Sequence, residues 1–197
     1  MIWWNDATVT DLSTDEARVR AMRHGVIEVI AERFVGVHAR PWPKLASLWE
    51  VGWLGKQSQR RATHNRCLLY FSQPRRMANF LTLKYIVSSP GTSLATFRGT
   101  LLVLDEIARI KRTDAIVCEV SHGRISDRLL ERWGWQAHCP DSRRRHFIKR
   151  FYGEYPPRDP AWGDLTAVDS TAASSSERKE KRAGLVTESS PSKSGSE

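Results

Sequence analysis

Between Val19 and Val37 the apolar residues Val19, Met22, Val26, Val29, Ile30, Phe34 and Val37 recur near one face of a 3.6-residue helix. The preceding Ser13-Thr14-Asp15-Glu16 has the form of a capping box, with Ser13 as the cap and Glu16 closing it. Two acids at this point suit the positive end of a helix. The pattern predicts an N-terminal helix, ended by Gly36 and the Pro41-Trp42-Pro43 stretch. A shorter helix is predicted from Pro43 through Leu45, Leu48 and Trp49, stopping near Gly52. Residues 55–66 are polar and basic without periodicity, which predicts a loop.

A different rhythm begins at Cys67. Cys67 to Phe71 is an apolar run of strand length, and Gln73-Pro74-Arg75-Arg76 forms a turn into a second strand, Phe80 to Val87. The two runs predict a hairpin. Thr96 is a candidate cap for a long helix whose Phe97, Leu101, Leu102, Leu104, Ile107, Ala108 and Ile110 make a wide apolar face. Lys111 and Arg112 fall in its last turn, where cations are favoured. Ala115 to Val120 predicts a buried strand, Ser126 to Arg132 a short helix, and Arg145 to Tyr152 a closing strand. The predicted order is ααββαβαβ. A crossover of one helix requires Phe80–Val87 and Ala115–Val120 to run parallel. The fold class is therefore α/β (α+β), a mixed sheet with a central β-α-β crossover and N-terminal helices.

Composition divides the chain at about residue 160. The chain has 197 residues, and residues 161–197 are mainly Ser, Thr, Ala, Glu and Lys. Such a stretch cannot bury enough apolar surface to offset the cost of ordering its backbone, so a disordered tail is expected after a domain of residues 1–160. The formal net charge is +9, and the tail, with five basic and six acidic residues, carries none of the excess. A basic domain suits a polyanionic partner: nucleic acid, a membrane surface or a phosphorylated cofactor.

Cys67, Cys118 and Cys139 are odd in number and widely spaced, which fits neither a disulfide framework nor a zinc finger. The N-terminal Met-Ile-Trp-Trp-Asn-Asp has no basic and apolar leader pattern, and no apolar run approaches ~18–20 residues. The expectation is a cytoplasmic protein without membrane contact.

Residues 80–152 carry a resemblance. A strand, a turn, a long helix with Leu101-Leu102, a strand reading Cys118-Glu119-Val120, and a short helix ending in Leu129-Leu130-Glu131-Arg132-Trp133-Gly134-Trp135 follow in order. The last stretch resembles the Leu-Tyr-Glu-Lys-Leu-Gly-Phe segment of GNAT-type N-acyltransferases, and His146-Phe147-Ile148-Lys149-Arg150 resembles that family's final strand. The resemblance implies an acyl-CoA co-substrate, such as acetyl-CoA, and an amine acceptor. The family holds the CoA pyrophosphate on a Gln/Arg-x-x-Gly-x-Gly/Ala turn opening the long helix. Here the corresponding positions hold Ser93, Thr96 and Arg98, with Gly99 slightly late. A helix N-terminus offers unsatisfied donors and a positive dipole end, which charge and hydroxyls reinforce. The implied cofactor residues are Val87, Ser88, Ser89, Ser93, Thr96, Arg98 and Gly99, with backbone N–H groups of Val87 to Ser89 polarising the thioester carbonyl.

The chain departs from the family at the acid that protonates the leaving thiolate, because the family's Tyr position is Leu130. His122, after the central strand, is a candidate base, and Tyr85 a candidate proton donor. Glu119 is a buried base or simply the polar member of its strand. His138-Cys139 and His146 lack a regular metal-ligand spacing, so no metal is expected. Arg143-Arg144-Arg145, Arg60-Arg61 and Arg75-Arg76, with Trp3, Trp4, Trp42, Trp49 and Trp53 for stacking, leave open an alternative without cofactor. In that alternative the same fold serves as a nucleic-acid-binding or protein-interaction module.

Overall fold

A computed structural model describes residues 8–40, 65–121, 123, 125–139 and 143–157, all within the unit Met1–Ala167. The predicted helix from Pro43, most of the predicted loop, and the predicted disordered tail lie outside the described residues.

The described chain runs β1 (Thr8–Val9), α1 (Glu16–Ala21), β2 (His24–Ile30), β3 (Arg33–Ala39), β4 (Arg66–Ser72), β5 (Phe80–Ser88), α2 (Leu94–Lys111), β6 (Ala115–Val120), α3 (Asp127–Arg132), β7 (Gln136–His138) and β8 (Arg145–Arg150). The eight strands form one mixed sheet in the order β1-β3-β2-β4-β5-β6-β8-β7. β5 and β6 are parallel, and the other paired strands are antiparallel. The predicted hairpin is β4–β5, and the predicted crossover is β5–α2–β6.

The long N-terminal helix is corrected. Only Glu16–Ala21 is helical, and the segment after it is the β2–β3 hairpin. Its Val26, Ile27, Val29, Ile30, Val35 and Val37 are β-branched, which favours a pleated strand. β2 lies between β3 and β4 and is buried on both faces, so it lacks the alternation that marks a half-exposed strand. Ala31 and Glu32 connect the strands with φ of 47° and 67°. Positive φ at both residues gives the two-residue turn whose twist matches its strands. The turn is held from outside: Ala31 N–H donates to the Asn65 carbonyl at 2.8 Å, and Glu32 N–H donates to Thr96 Oγ1 at 3.0 Å.

Both predicted caps are corrected as well. Asp15 is the N-cap of α1 and makes no side-chain capping bond, while Ser13 hydrogen-bonds Asp11 instead. Ser93, not Thr96, caps α2, its Oγ accepting from Thr96 N–H at 3.0 Å. Thr96 is fully buried against the β2–β3 turn.

The core lies between α2 and one face of the sheet. Leu104, Ile107 and Ile110 of α2 pack with Ile27, Leu69, Leu81, Ile116 and Phe147. On β5 this face takes Leu81, Leu83 and Ile86, whereas Tyr85 and Val87 join Val26, Leu68 and Tyr70 on the other face. The change of parity comes from a bulge: Tyr70 pairs with Tyr85 but Phe71 pairs with Leu83, leaving Lys84 as the extra residue.

Candidate functional site: a fork between β5 and β6

Parallel pairing of β5 with β6 runs from Phe80↔Ala115 to Leu83↔Cys118 and stops there. Beyond the bulge at Lys84, residues 85–88 pair only with β4. The two strands therefore form a fork at their carboxyl ends, where ligands bind in parallel sheets. Bulges commonly sit beside active sites because they end pairing and re-aim side chains.

Tyr85 lies on one arm of the fork, half-buried and stacked on Tyr70 with ring centroids 4.1 Å apart. Glu119 lies on the other arm, and both side chains belong to the face turned away from α2. Glu119 is the cross-strand partner of His146, which is in turn the partner of His138. Residues 119, 146 and 138 thus form one row across β6, β8 and β7, with neighbours about 5 Å apart at Cα. Arg144 Nη1 donates to both Glu119 oxygens, at 3.1 and 3.2 Å. Separately these residues carry no motif, and their spacing in the chain gives no sign of the row. His122, the sequence candidate for the base, lies outside the described residues.

In the turn from β5 into α2, several donors already have partners within the chain. Ser89 N–H donates to the Arg66 carbonyl at 2.9 Å, and Ser89 Oγ accepts from Arg66 N–H at 2.8 Å. Ser93 N–H donates to Asn65 Oδ1 at 2.8 Å, while Ser93 Oγ donates to Glu32 Oε1 at 3.1 Å. A carboxylate from the β2–β3 turn therefore sits at the positive end of α2, where the family resemblance implies a phosphate. Val87 is half-buried, and Ser88 and Arg98 are exposed. Gly99 is buried in the first turns of α2.

The chain has no match among protein-family models, curated proteins or solved structures.

Of the remaining sequence candidates, Arg145, Cys67 and Cys118 have structural roles, while Arg60, Arg61, Trp3, Trp4, Trp42, Trp49 and Trp53 lie outside the described residues. Arg145 pairs with Asp127, which ties β8 to the first turn of α3. Burial pushes the Cys67 thiol up to about 11, a hydrogen bond with Thr100 only partly opposing it. Burial likewise pushes Cys118 up to about 12. Neither is a nucleophile near neutral pH. Among the described residues no group of three or more His, Cys, Asp or Glu side chains is arranged to hold a metal. No described helix is long and apolar enough to cross a membrane.

Behind the fork, on the same face, a second polar row was invisible in the sequence. Thr8 Oγ1 meets His38 Nδ1 at 2.9 Å, and His38 Nε2 meets Glu28 Oε2 at 3.0 Å. Arg66 donates to Glu28 Oε1 at 2.7 Å. Burial pushes the Glu28 carboxyl up, but the His38 hydrogen bond and the Arg66 charge outweigh it and leave it below its ordinary value. A carboxylate so fully engaged braces strands β1 to β4 against one another and is a poor proton acceptor.

Proposed function

We propose that this chain is a diverged relative of the GNAT-type N-acyltransferases, taking an acyl-CoA thioester into the fork between β5 and β6 and passing the acyl group to an amine. The observation that carries the reading is the fork itself: a parallel pair that ends at a bulge, with a tyrosine on one arm and a carboxylate on the other. The order β5–α2–β6–α3–β7–β8, with β8 inserted between β6 and β7, supports it.

The chemistry follows from the two arms. The amine nitrogen attacks the thioester carbonyl, the new C–N bond forms, and the C–S bond breaks to release CoA thiolate. Glu119 takes the proton lost by the amine, directly or through His146. Tyr85 supplies the thiolate with the proton that Leu130 cannot give. Glu32 at the start of α2 weakens the grip on the CoA phosphates, and Arg98 counteracts it.

Thermal denaturation with acetyl-CoA tests the reading. A ligand at 100 times its dissociation constant stabilises by about 2.7 kcal/mol, which is a rise of several degrees in Tm. Millimolar acetyl-CoA is expected to raise Tm, Arg98→Glu to shrink the rise, and Glu32→Gln to enlarge it. No rise in either the native chain or Glu32→Gln would overturn the reading.

A further inference from the structure

The face of the sheet turned away from α2 holds a cleft of about 490 Å³ at the opposite end of the β5–β6 pair. Its floor is set by strand register. Phe80 lies beside Ala115, and Thr82, Val117 and Ile148 form a row across β5, β6 and β8. Met77, 55 % exposed, and Tyr152, 76 % exposed, line the same cleft. An apolar floor beside an exposed aromatic ring suits a flat, partly apolar group.

The cleft's own lining carries one acid, Asp114, and one cation, Arg150, and the surface beside it is cationic. The row through Thr82 continues to Ser72 and His24, so β2 enters the sheet beside the cleft. Arg23, Arg75 and Lys84 all lie close enough to His24 for their charges to add to its burial in holding its imidazole below the ordinary range. Arg76 follows Arg75 in the β4–β5 turn, and Arg23, Arg75, Arg76 and Lys84 are all exposed. None of the four makes an ion pair with a carboxylate among the described residues. The cations Arg109, Arg144 and Arg145, by contrast, are each paired with an acid. Like charges gathered on one exposed surface without an ion-paired acid repel one another in the free protein, and a polyanion relieves that repulsion.

We propose that this surface binds single-stranded nucleic acid, with backbone phosphates on Arg23, Arg75, Arg76 and Lys84 and a base held in the cleft against Tyr152. Charge complementarity argues for a polyanion, and the apolar cleft with its exposed ring argues for unpaired bases rather than a duplex. A duplex keeps its bases stacked and offers the cleft nothing to receive. The cleft lies toward the Phe80–Ala115 end of the β5–β6 pair and the fork at the other end, with Lys84 at the bulge between them and His138 shared by the cleft lining and the row that reaches Glu119.

The test uses the full chain and a fluorescein-labelled 12-nucleotide single strand of mixed sequence, in RNA and DNA forms, titrated by fluorescence anisotropy. Affinity is expected to fall steeply between 50 and 200 mM salt. The triple variant Arg75→Ala, Arg76→Ala, Lys84→Ala is expected to reduce the slope of log K against log salt by about 2, from ~0.7 per lost phosphate contact. Tyr152→Ala is expected to weaken binding roughly 10-fold and leave the slope unchanged. The exposed pair Arg128→Ala, Arg132→Ala on α3 serves as a control expected to change neither. The substituted positions are exposed, and circular dichroism melts verify that each variant is folded. No binding at 50 mM salt would overturn the proposal, as would an unchanged slope in the triple variant or an equal loss in the control. Equal or tighter binding of the matched duplex, or of a polyglutamate peptide, would overturn its single-strand specificity.

Discussion

Lys149 Nζ lies 2.6 Å from Asp105 Oδ2, an ion pair joining β8 to α2 inside the core with both side chains 10 % exposed or less. Burial drives the Asp105 carboxyl up, and Lys149 only partly opposes it. Removing one partner leaves the other charge buried and unpaired, which typically costs 3–5 kcal/mol. Lys149→Met is expected to destabilise by about 3 kcal/mol. Adding Asp105→Leu to it is expected to recover most of the loss. Urea denaturation of the two variants measures both effects, and a double variant no more stable than the single would show that the pair holds the fold by geometry.

Glu28 makes stability depend on pH in a definite direction. Its folded-state pKa lies below its ordinary value of 4.5, so its contribution is complete above that value. It is lost as pH falls through the folded-state pKa. Glu28→Gln is expected to lower stability at pH 7 and to flatten the acid limb of a plot of stability against pH. A steeper acid limb in the variant would contradict the assignment of Arg66 and His38 as its partners.

Lys111 acts in the opposite range. Burial, with a smaller push from Arg23, brings its amine down to about 8 from 10.5. Between these values the unfolded chain binds a proton that the folded chain does not, so stability rises with pH across this window. Lys111→Gln is expected to remove that rise, as read from Tm at pH 8 and pH 10.

Gly25 has no room for a side chain. A Cβ there would stand 2.6 Å from Phe71 Cζ and 2.8 Å from Met22 Sδ. Gly25→Ala is expected to cost about 1–3 kcal/mol by overpacking between β2, β4 and the end of α1. Thermal denaturation checks it, and Phe71→Leu in the same chain should restore part of the loss.

Acyl transfer, if it proceeds through the fork, depends on both arms. Tyr85→Phe removes a proton donor but keeps the stack on Tyr70, and is expected to slow turnover by about 10²–10⁴-fold with little change in Tm. Glu119→Gln is expected to lose the acid limb of the rate–pH profile. An unchanged profile in both variants would place the chemistry elsewhere.

What the chain by itself determines is clearest from Cys67 onward. There the apolar runs are short and bounded by turns, the helix has eighteen residues with a wide apolar face, and a one-helix crossover joins parallel strands. These are local signals, and the elements they predict lie within a few residues of the observed ones. Residues 24–39 were different. Val26, Val29, Phe34 and Val37 satisfy helical spacing, but the first two belong to β2, which is buried on both faces and shows no alternation, and the last two to β3. Only β2's neighbours β3 and β4 decided in favour of the sheet, because pairing buries both faces whereas a helix buries one stripe. The candidate sites were hidden for a related reason. Glu119, His146 and His138 meet through strand register, and Arg23, Arg75 and Lys84 meet because β2 lies beside β4. Register depends on which strands pair, and that is settled by packing across the whole sheet rather than by any segment of it.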